Sequence, residues 1–387
     1  MILLDYPFVS EFLIKTIKEN NFEIIATQQA KALANDDSLN WISEKDATAK
    51  IISHPKTLVY TNSENAIAWV FNNLNSTHLP KQIQLFKDKF AFRKLIQDTF
   101  PNFFFKTVEL EDIQDLNLKE INFPFVIKPA LGFFSIGVHI VHNLEEWNIA
   151  KQELNFENLQ SIYPKEVMNA STFIIEEYIE GEEFAIDCYF DKDGEVVILS
   201  ILHHKFSSGT DVSDRVYYTS KNIIQKHKTA IEFFLLPIGK KAELKNFPLH
   251  MEIRIDSNGK IVPIEVNPLR FGGWCTTADL TWYAYGFNSY EYFLKGKRPN
   301  WNEIFENRKD KIYSIIILNN NSGIEASEIT SFDFESLQNN LENILEIRKL
   351  DIKKDPVFGF VFTETSLGNE QEIISILNSD LRKYIKT

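Results

Sequence analysis

His250-Met-Glu-Ile-Arg-Ile-Asp-Ser-Asn-Gly-Lys-Ile-Val-Pro-Ile-Glu-Val-Asn267 is the stretch on which the fold turns. Asn258-Gly259 lies between two alternating runs, a strong short-range signal for a β-hairpin. Read as a two-residue turn, it pairs Ser257 with Lys260 and sets the register outward. Asp256 then faces Ile261, Arg254 faces Pro263, Glu252 faces Glu265 and His250 faces Asn267. Alternation lays Met251, Ile253 and Ile255 on one face with Val262, Ile264 and Val266. The other face carries Glu252, Glu265 and Asn267. Directly opposed carboxylates, with Cβ atoms roughly 5 Å apart, are destabilising. At an effective dielectric near 20 the repulsion is about 3 kcal/mol. A divalent cation removes that cost, and two carboxylates with an amide oxygen form the hard oxygen set that Mg²⁺ takes beside substrate phosphates. On this hairpin alone, a pair of merely solvated acids is an equal alternative.

Upstream, Phe123-Pro-Phe-Val-Ile-Lys-Pro-Ala-Leu-Gly-Phe-Phe-Ser-Ile-Gly-Val138 sets Lys128 at a strand end and Gly132 and Gly137 five apart. Glycines let backbone N–H groups approach a phosphate closely, and the lysine adds a point charge. Gly137 is followed by Val138-His139, so this is neither a P-loop nor a dinucleotide fingerprint. An ordinary turn is the equal alternative. Phe173-Ile-Ile-Glu-Glu-Tyr-Ile-Glu-Gly-Glu-Glu-Phe184 is an apolar strand that runs into acids and turns at Gly181. In isolation this segment reads as an acidic surface turn.

Taken in order, these segments resemble the ATP-grasp superfamily: strand-Lys-Pro, a Gly/Ser loop, a Glu-Glu-Tyr-Ile hinge with Gly-x-Glu, then Glu…Glu-x-Asn. The resemblance runs from Lys128 to Asn267, and more weakly back to Lys89 and on to about Gly296. It implies ATP and Mg²⁺ (or Mn²⁺) as cofactors. Lys89 and Lys128 match the two nucleotide lysines, and Gly132, Ser135 and Gly137 match the loop that closes over the phosphates. Glu176 with the backbone of Glu177, Tyr178 and Ile179 matches the adenine hinge, and Glu183 the ribose contact. Glu252, Glu265 and Asn267 match the metal ligands. Arg270 matches an arginine that neutralises an acyl phosphate, although Leu269 intervenes where the family more often has Asn-Pro-Arg. Gly272-Gly273-Trp274 would line the acceptor side. Phe133 and Phe134 stand where small residues are more usual.

The activity so implied is ligation of a carboxylate to an amine with release of ADP and phosphate. No side-chain nucleophile is needed, with Lys128 and Arg270 carrying the chemistry. Phosphoryl transfer without ligation, bicarbonate or a thiol as partner, and a nucleotide-binding module without turnover stay open. His203, His204 and Lys205 are divided between a γ-phosphate contact and an exposed basic loop. Arg215 is a candidate clamp for a substrate carboxylate. Cys275 reads as a small packed side chain, and Trp282 and Tyr283 as helix core.

The fold class expected is α/β and α+β: an ATP-grasp fold with an N-terminal α/β domain, two α+β lobes clamping ATP and a small C-terminal α+β unit. The units divide as 1–85, a linker helix region at 86–120, a lid at 121–190, a central metal-bearing unit at 191–300 and a C-terminal unit at 301–387. Helices are expected over Ser10–Asn20, Lys87–Asp98 and near Ser336–Ile347. Across 387 residues, 54 acidic side chains against 41 basic ones give a net charge of -13, which disfavours nucleic acid and anionic membrane as partners. The partners expected are a small-molecule carboxylate and an amine, and the oligomeric state is open, a homodimer included. The first residues lack a signal-peptide pattern. Two cysteines cannot build a disulfide framework, which fits a cytoplasmic location.

Overall fold

The computed structural model describes residues 1–131, 137–154, 171–207 and 213–387. Gly132, Phe133, Phe134 and Ser135 lie outside the described residues.

The N-terminal unit is a four-stranded parallel sheet in the order Trp41–Ile42, Ile24–Ile25, Ile2–Leu3, Tyr60–Thr61. Its first helix, Glu11–Asn20, is N-capped by Ser10, whose hydroxyl accepts from the Leu13 N–H, and ends at Asn21 in the left-handed region. The helix expected over Lys87–Asp98 is Lys89–Ile96, and a separate helix, Leu79–Lys87, precedes it. Asp88 divides them because its carboxylate caps the second, accepting from the N–H groups of Phe90 at 2.9 Å and Ala91 at 3.1 Å. The break places Lys89 in the first turn of the new helix.

A small antiparallel sheet follows, in the order Phe105–Glu109, Thr172–Glu177, Phe125–Pro129, His139–Val141. Its own core includes Phe125, Ile127, Phe173, Ile175 and Trp147 of helix Leu144–Glu153. Strand Phe105–Glu109, within the stretch read as a linker, is an edge of this sheet.

The largest sheet has eight strands in the order Ile261–Pro268, Phe247–Ile255, Glu182–Phe190, Val196–Lys205, Val216–Thr219, Lys311–Asn319, Val357–Ser366, Ile344–Lys349. Two expected unit borders shift accordingly. Strand Glu182–Phe190 belongs here and not with the 121–190 unit, so the passage between sheets falls at the Gly181 turn. Strands Lys311–Asn319, Ile344–Lys349 and Val357–Ser366 extend the same sheet, while Ser331–Phe332 and Ile385–Lys386 pair in a separate two-stranded sheet. Ile344–Lys349, expected as the end of a helix, is an edge strand, and only Phe334–Gln338 is helical there. Ile-Leu-Glu-Ile-Arg-Lys satisfies either period locally, and pairing with Val357–Ser366 decides it. Helix Lys221–Lys241 packs over the sheet, and Gly239 lets it approach Phe190: a Cβ there would lie 1.9 Å from that ring.

One hydrophobic cluster runs from Ile2, Ile24 and Tyr60 of the N-terminal sheet through Phe184, Ile186, Met251 and Val266 of the large sheet. The small sheet keeps a separate core. Among the described residues no helix is long and apolar enough to cross a membrane.

Candidate active site

The site grows from the hairpin. Its turn is one residue longer than expected: Asp256 N–H donates to Lys260 O, Gly259 takes φ +81, and Ile255 pairs with Ile261. The register is therefore offset near the turn, with Arg254 against Val262 and Ile253 against Pro263. A bulge between Glu252 and Ile253 on one strand, opposite Pro263 and Ile264 on the other, absorbs the offset. Pro263 has no N–H to give the ladder, and it lies on an edge strand, where proline is tolerated. Beyond the bulge the pairs are the expected ones, Glu252 with Glu265 and His250 with Asn267.

Burial raises the Glu252 carboxyl above its ordinary range; His250 opposes the shift and Glu265 adds to it. Asn267 is buried, and its Oδ1 has no hydrogen-bond partner among the described residues. A buried acceptor without a partner beside two facing carboxylates suits a cation. Among the described residues no three His, Cys, Asp or Glu side chains group as a metal site. Magnesium needs no such group, since it takes one or two carboxylates and completes its shell from phosphate and water.

Lys89 reaches this pair, its Nζ 3.3 Å from Glu265 Oε1. Its backbone N–H donates to Ala130 O at 3.0 Å, tying it to the strand that carries Lys128. Lys128 Nζ lies 2.8 Å from Glu176 Oε2. Arg93, one helical turn after Lys89 on the same face, holds Glu176 with both Nε (2.6 Å) and Nη2 (3.2 Å). Its Nη1 donates to Pro263 O at 2.7 Å, beside the bulge. Arg93 therefore joins the helix, the small sheet and the metal hairpin. The Glu176 side chain, expected at the adenine edge, is committed to this buried cluster instead. Burial opposes its charge, but Arg93 and Lys128 overcome that and hold its pKa at about 2. Burial draws Lys128 below the usual lysine range, with Glu176 opposing and Arg93 and Lys89 adding to the shift.

At the hinge, the Glu177 N–H donates to Phe104 O and the Tyr178 N–H to Pro124 O, while Ile179 O accepts from Arg254 Nη1 at 2.6 Å. The Arg254 guanidinium stands 5.1 Å over the Tyr178 ring. Its Nε also holds Glu183 Oε2 at 3.0 Å, and His204 Nδ1 holds Glu183 Oε1 at 2.8 Å. Glu183 stays below its ordinary range because His204 and Arg254 outweigh the burial that would raise it. Gly137 takes φ +68, as a turn requires.

Asp187, fully buried, organises the far side of the site. Its Oδ1 accepts from His250 Nδ1 at 2.7 Å and from the Gly272 N–H at 2.9 Å, and its Oδ2 accepts from Thr277 Oγ1. Burial would lower the His250 pKa, but Asp187 and Glu252 raise it to about 9. Arg270 is buried beside the strand end, held by Glu64 of the N-terminal unit at 2.5 Å. Cys275 is buried too, and burial pushes its thiol up to about 11, which suits packing rather than attack.

Three other candidates lie off this centre. His203 hydrogen-bonds Tyr218 Oη at 2.8 Å, on the sheet face opposite His204. Arg215 points to Asn321 Oδ1 (3.2 Å) and Ser379 O (3.4 Å). Lys205 ends its strand. Sequence reading missed Arg93, Asp187, Arg254 and Glu64. Only Arg93 carries a local signal, its spacing of four from Lys89.

Residues 121–278 match the sequence profile of the ATP-grasp domain. A 99-residue stretch is 38% identical to a D-alanine–D-alanine ligase A of Bacillus cereus, covering 25% of this chain and 28% of that protein. Over 181 residues the chain is 28% identical to an alanine–anticapsin ligase of Bacillus amyloliquefaciens, covering 44% and 37%. The matched stretches thus span well under half of these relatives' length. The crystal structure of an L-amino acid ligase from Bacillus licheniformis superposes with a TM-score of 0.68 over 99% of this chain and 97% of the other, at 18% identity, a likeness of fold.

Proposed function

The chain carries an ATP-grasp domain over residues 121–278, and from that premise we propose that it activates a small-molecule carboxylate with ATP and condenses it with an amine. The observation that carries this reading is the facing pair Glu252 and Glu265, with the partnerless Asn267 Oδ1 beside them and Lys89 against Glu265. These three oxygen-bearing side chains hold Mg²⁺ (or Mn²⁺), which when bound supplies charge neutralisation at the phosphates. Lys89 and Lys128 take the phosphates of ATP. The backbone from Glu177 to Ile179 meets the adenine, and Glu183, held ionised by His204 and Arg254, accepts from the ribose hydroxyls.

A substrate carboxylate oxygen attacks the γ-phosphorus, and the bond to the β–γ bridging oxygen breaks as ADP leaves. A neutral amine then attacks the acyl carbon, phosphate departs with the bonding pair, and the nitrogen gives up a proton to the departing phosphate or to water. The chain contributes position and fixed charge, and no side chain becomes a covalent intermediate. Arg270 faces the anion that develops, where loss of one such donor typically costs on the order of 10² to 10³ in turnover. The small sheet, with its separate core, closes over the reacting groups and keeps water out.

The test is product analysis with amino acids and other small acids as donors and acceptors. ADP, phosphate and a condensed product are expected in equal amounts. Glu265→Gln is expected to lose Mg-dependent ADP release and to change the melting temperature little, since relief of the repulsion of Glu252 offsets the lost ion pair with Lys89. A stable phosphorylated product without condensation would mean phosphoryl transfer, and full activity in the glutamine variant would remove the metal assignment.

A further inference from the structure

We propose that the Thr61–Glu64 turn of the N-terminal sheet is a positioning device for Arg270, an inference that rests on the ligase reading of that arginine. Leu269 is the residue that separates Arg270 from Asn267-Pro268, and it takes φ +62. A side chain with a Cβ is disfavoured in that left-handed region, so the kink persists only because its surroundings hold it. Its N–H donates to Pro248 O at 2.8 Å. Its carbonyl accepts twice from Thr61, from the N–H at 2.8 Å and from Oγ1 at 3.3 Å. Thr61 is fully buried at the end of its parallel strand.

Three residues on, Glu64 Oε1 receives Arg270 Nη2 at 2.5 Å, and Glu64 Oε2 receives Lys87 Nζ. The turn between is itself fixed. Asn62 Nδ2 donates to Asp5 O and Phe8 O, its Oδ1 accepts from the Asp5 N–H, and the Ser63 hydroxyl caps the Glu64–Ala66 turn. Arg270 Nη1 donates to Phe271 O at 2.8 Å. Its Nε is buried and has no partner among the described residues. Each terminal nitrogen thus spends one N–H on fixing the guanidinium plane, and the second N–H of each, with Nε–H, is left for an anionic oxygen. Lys87 and Arg270 outnumber Glu64, so the local charge favours an anion, whether substrate carboxylate or acyl phosphate.

The inserted Leu269 would otherwise turn Arg270 away from the Asn267 end of the hairpin. The N-terminal unit corrects that by gripping the carbonyl before Arg270 and the guanidinium itself. Glu64 is in this sense a positioning residue acting through Arg270.

The test uses the full chain with Glu64→Gln, Glu64→Asp and Thr61→Val, alone and in an Arg270→Ala background. Glu64→Gln is expected to lower kcat by about tenfold or more while the KM for ATP stays within about twofold, and Glu64→Asp to recover part of the loss. In the Arg270→Ala background Glu64→Gln should add less than about twofold, since both act as one unit. Thr61→Val, which keeps the backbone N–H, should give a smaller loss in the same direction. Phenylglyoxal labelling of Arg270, followed by peptide mass mapping, needs no turnover. It should speed up in Glu64→Gln and stay slow in the wild type. If no acid and amine pair is ligated, the ligase reading fails and the labelling still decides the positioning claim. Unchanged labelling, or a Glu64 effect fully additive with Arg270→Ala, would overturn it.

Discussion

Glu176 shows how much one side chain's partners decide. Its neighbours in sequence suggest a nucleotide contact, yet its carboxylate is shared by Arg93 and Lys128 in a buried cluster. Removing one partner from a buried ionic cluster costs about 3–5 kcal/mol, because the remaining charges keep their desolvation penalty. Glu176→Gln is therefore expected to destabilise the nucleotide-free protein by that order in urea unfolding. A variant that lost ATP binding alone, with unchanged unfolding, would return Glu176 to the adenine. The pH dependence has a definite sign. The folded pKa, about 2, lies below the ordinary value of 4.5. The stabilisation is thus complete above pH 4.5 and is lost as pH falls from there toward 2. The wild type should lose stability across that window, and the glutamine variant should lack this contribution to the slope.

At the scale of elements, two turns containing positive-φ glycines behave differently. Gly181, at φ +128, joins the small sheet to the large one, and a Cβ there would lie 2.4 Å from Ile255 O. Gly181→Ala must move backbone, at a cost of about 1–3 kcal/mol. It should also weaken ATP binding, because Ile179 and Glu183 lie two residues to either side. Gly259, at φ +81, has open space around its missing Cβ. Gly259→Ala should cost only about 1 kcal/mol through its left-handed backbone, and the melting-temperature rise on adding Mg-ATP should be unchanged. Equal loss of that rise in both variants would detach the Gly181 turn from the nucleotide site. The hairpin makes a related point. A turn one residue too long and a bulge at Pro263 cancel, so the carboxylates still meet.

Across the whole molecule, the N-terminal and large sheets share one hydrophobic cluster while the small sheet keeps another. Helix Lys89–Ile96 packs in the first cluster through Phe92 and Ile96, and with the Gly181 turn it carries much of the link between that cluster and the small sheet, through Arg93 to Glu176 and the Lys89 N–H to Ala130 O. A nucleotide bridging them should raise the melting temperature. At about 100 times its Kd the linkage stabilisation is about 2.7 kcal/mol. A hinge that reads adenine should give a larger shift with Mg-ATP than with Mg-GTP. Equal shifts would remove the adenine reading, and no shift with either would remove the nucleotide site.

The sequence by itself determined the order of the segments within residues 121–278 that match the ATP-grasp domain, the first helix and the face shared by Glu252, Glu265 and Asn267. These rest on periodicity and turn chemistry, which act over a few residues. The edge strand Ile344–Lys349 escaped it, because its local pattern fits helix and strand alike. The ionic partnerships were also beyond its reach. Arg93 and Glu176 are 83 residues apart, and Glu64 and Arg270 are 206 apart. Which cation meets which carboxylate depends on how the sheets pack, and no local spacing encodes that. Only the tertiary structure assigned Glu176 to the buried cluster with Arg93 and Lys128 and brought the N-terminal turn to Arg270.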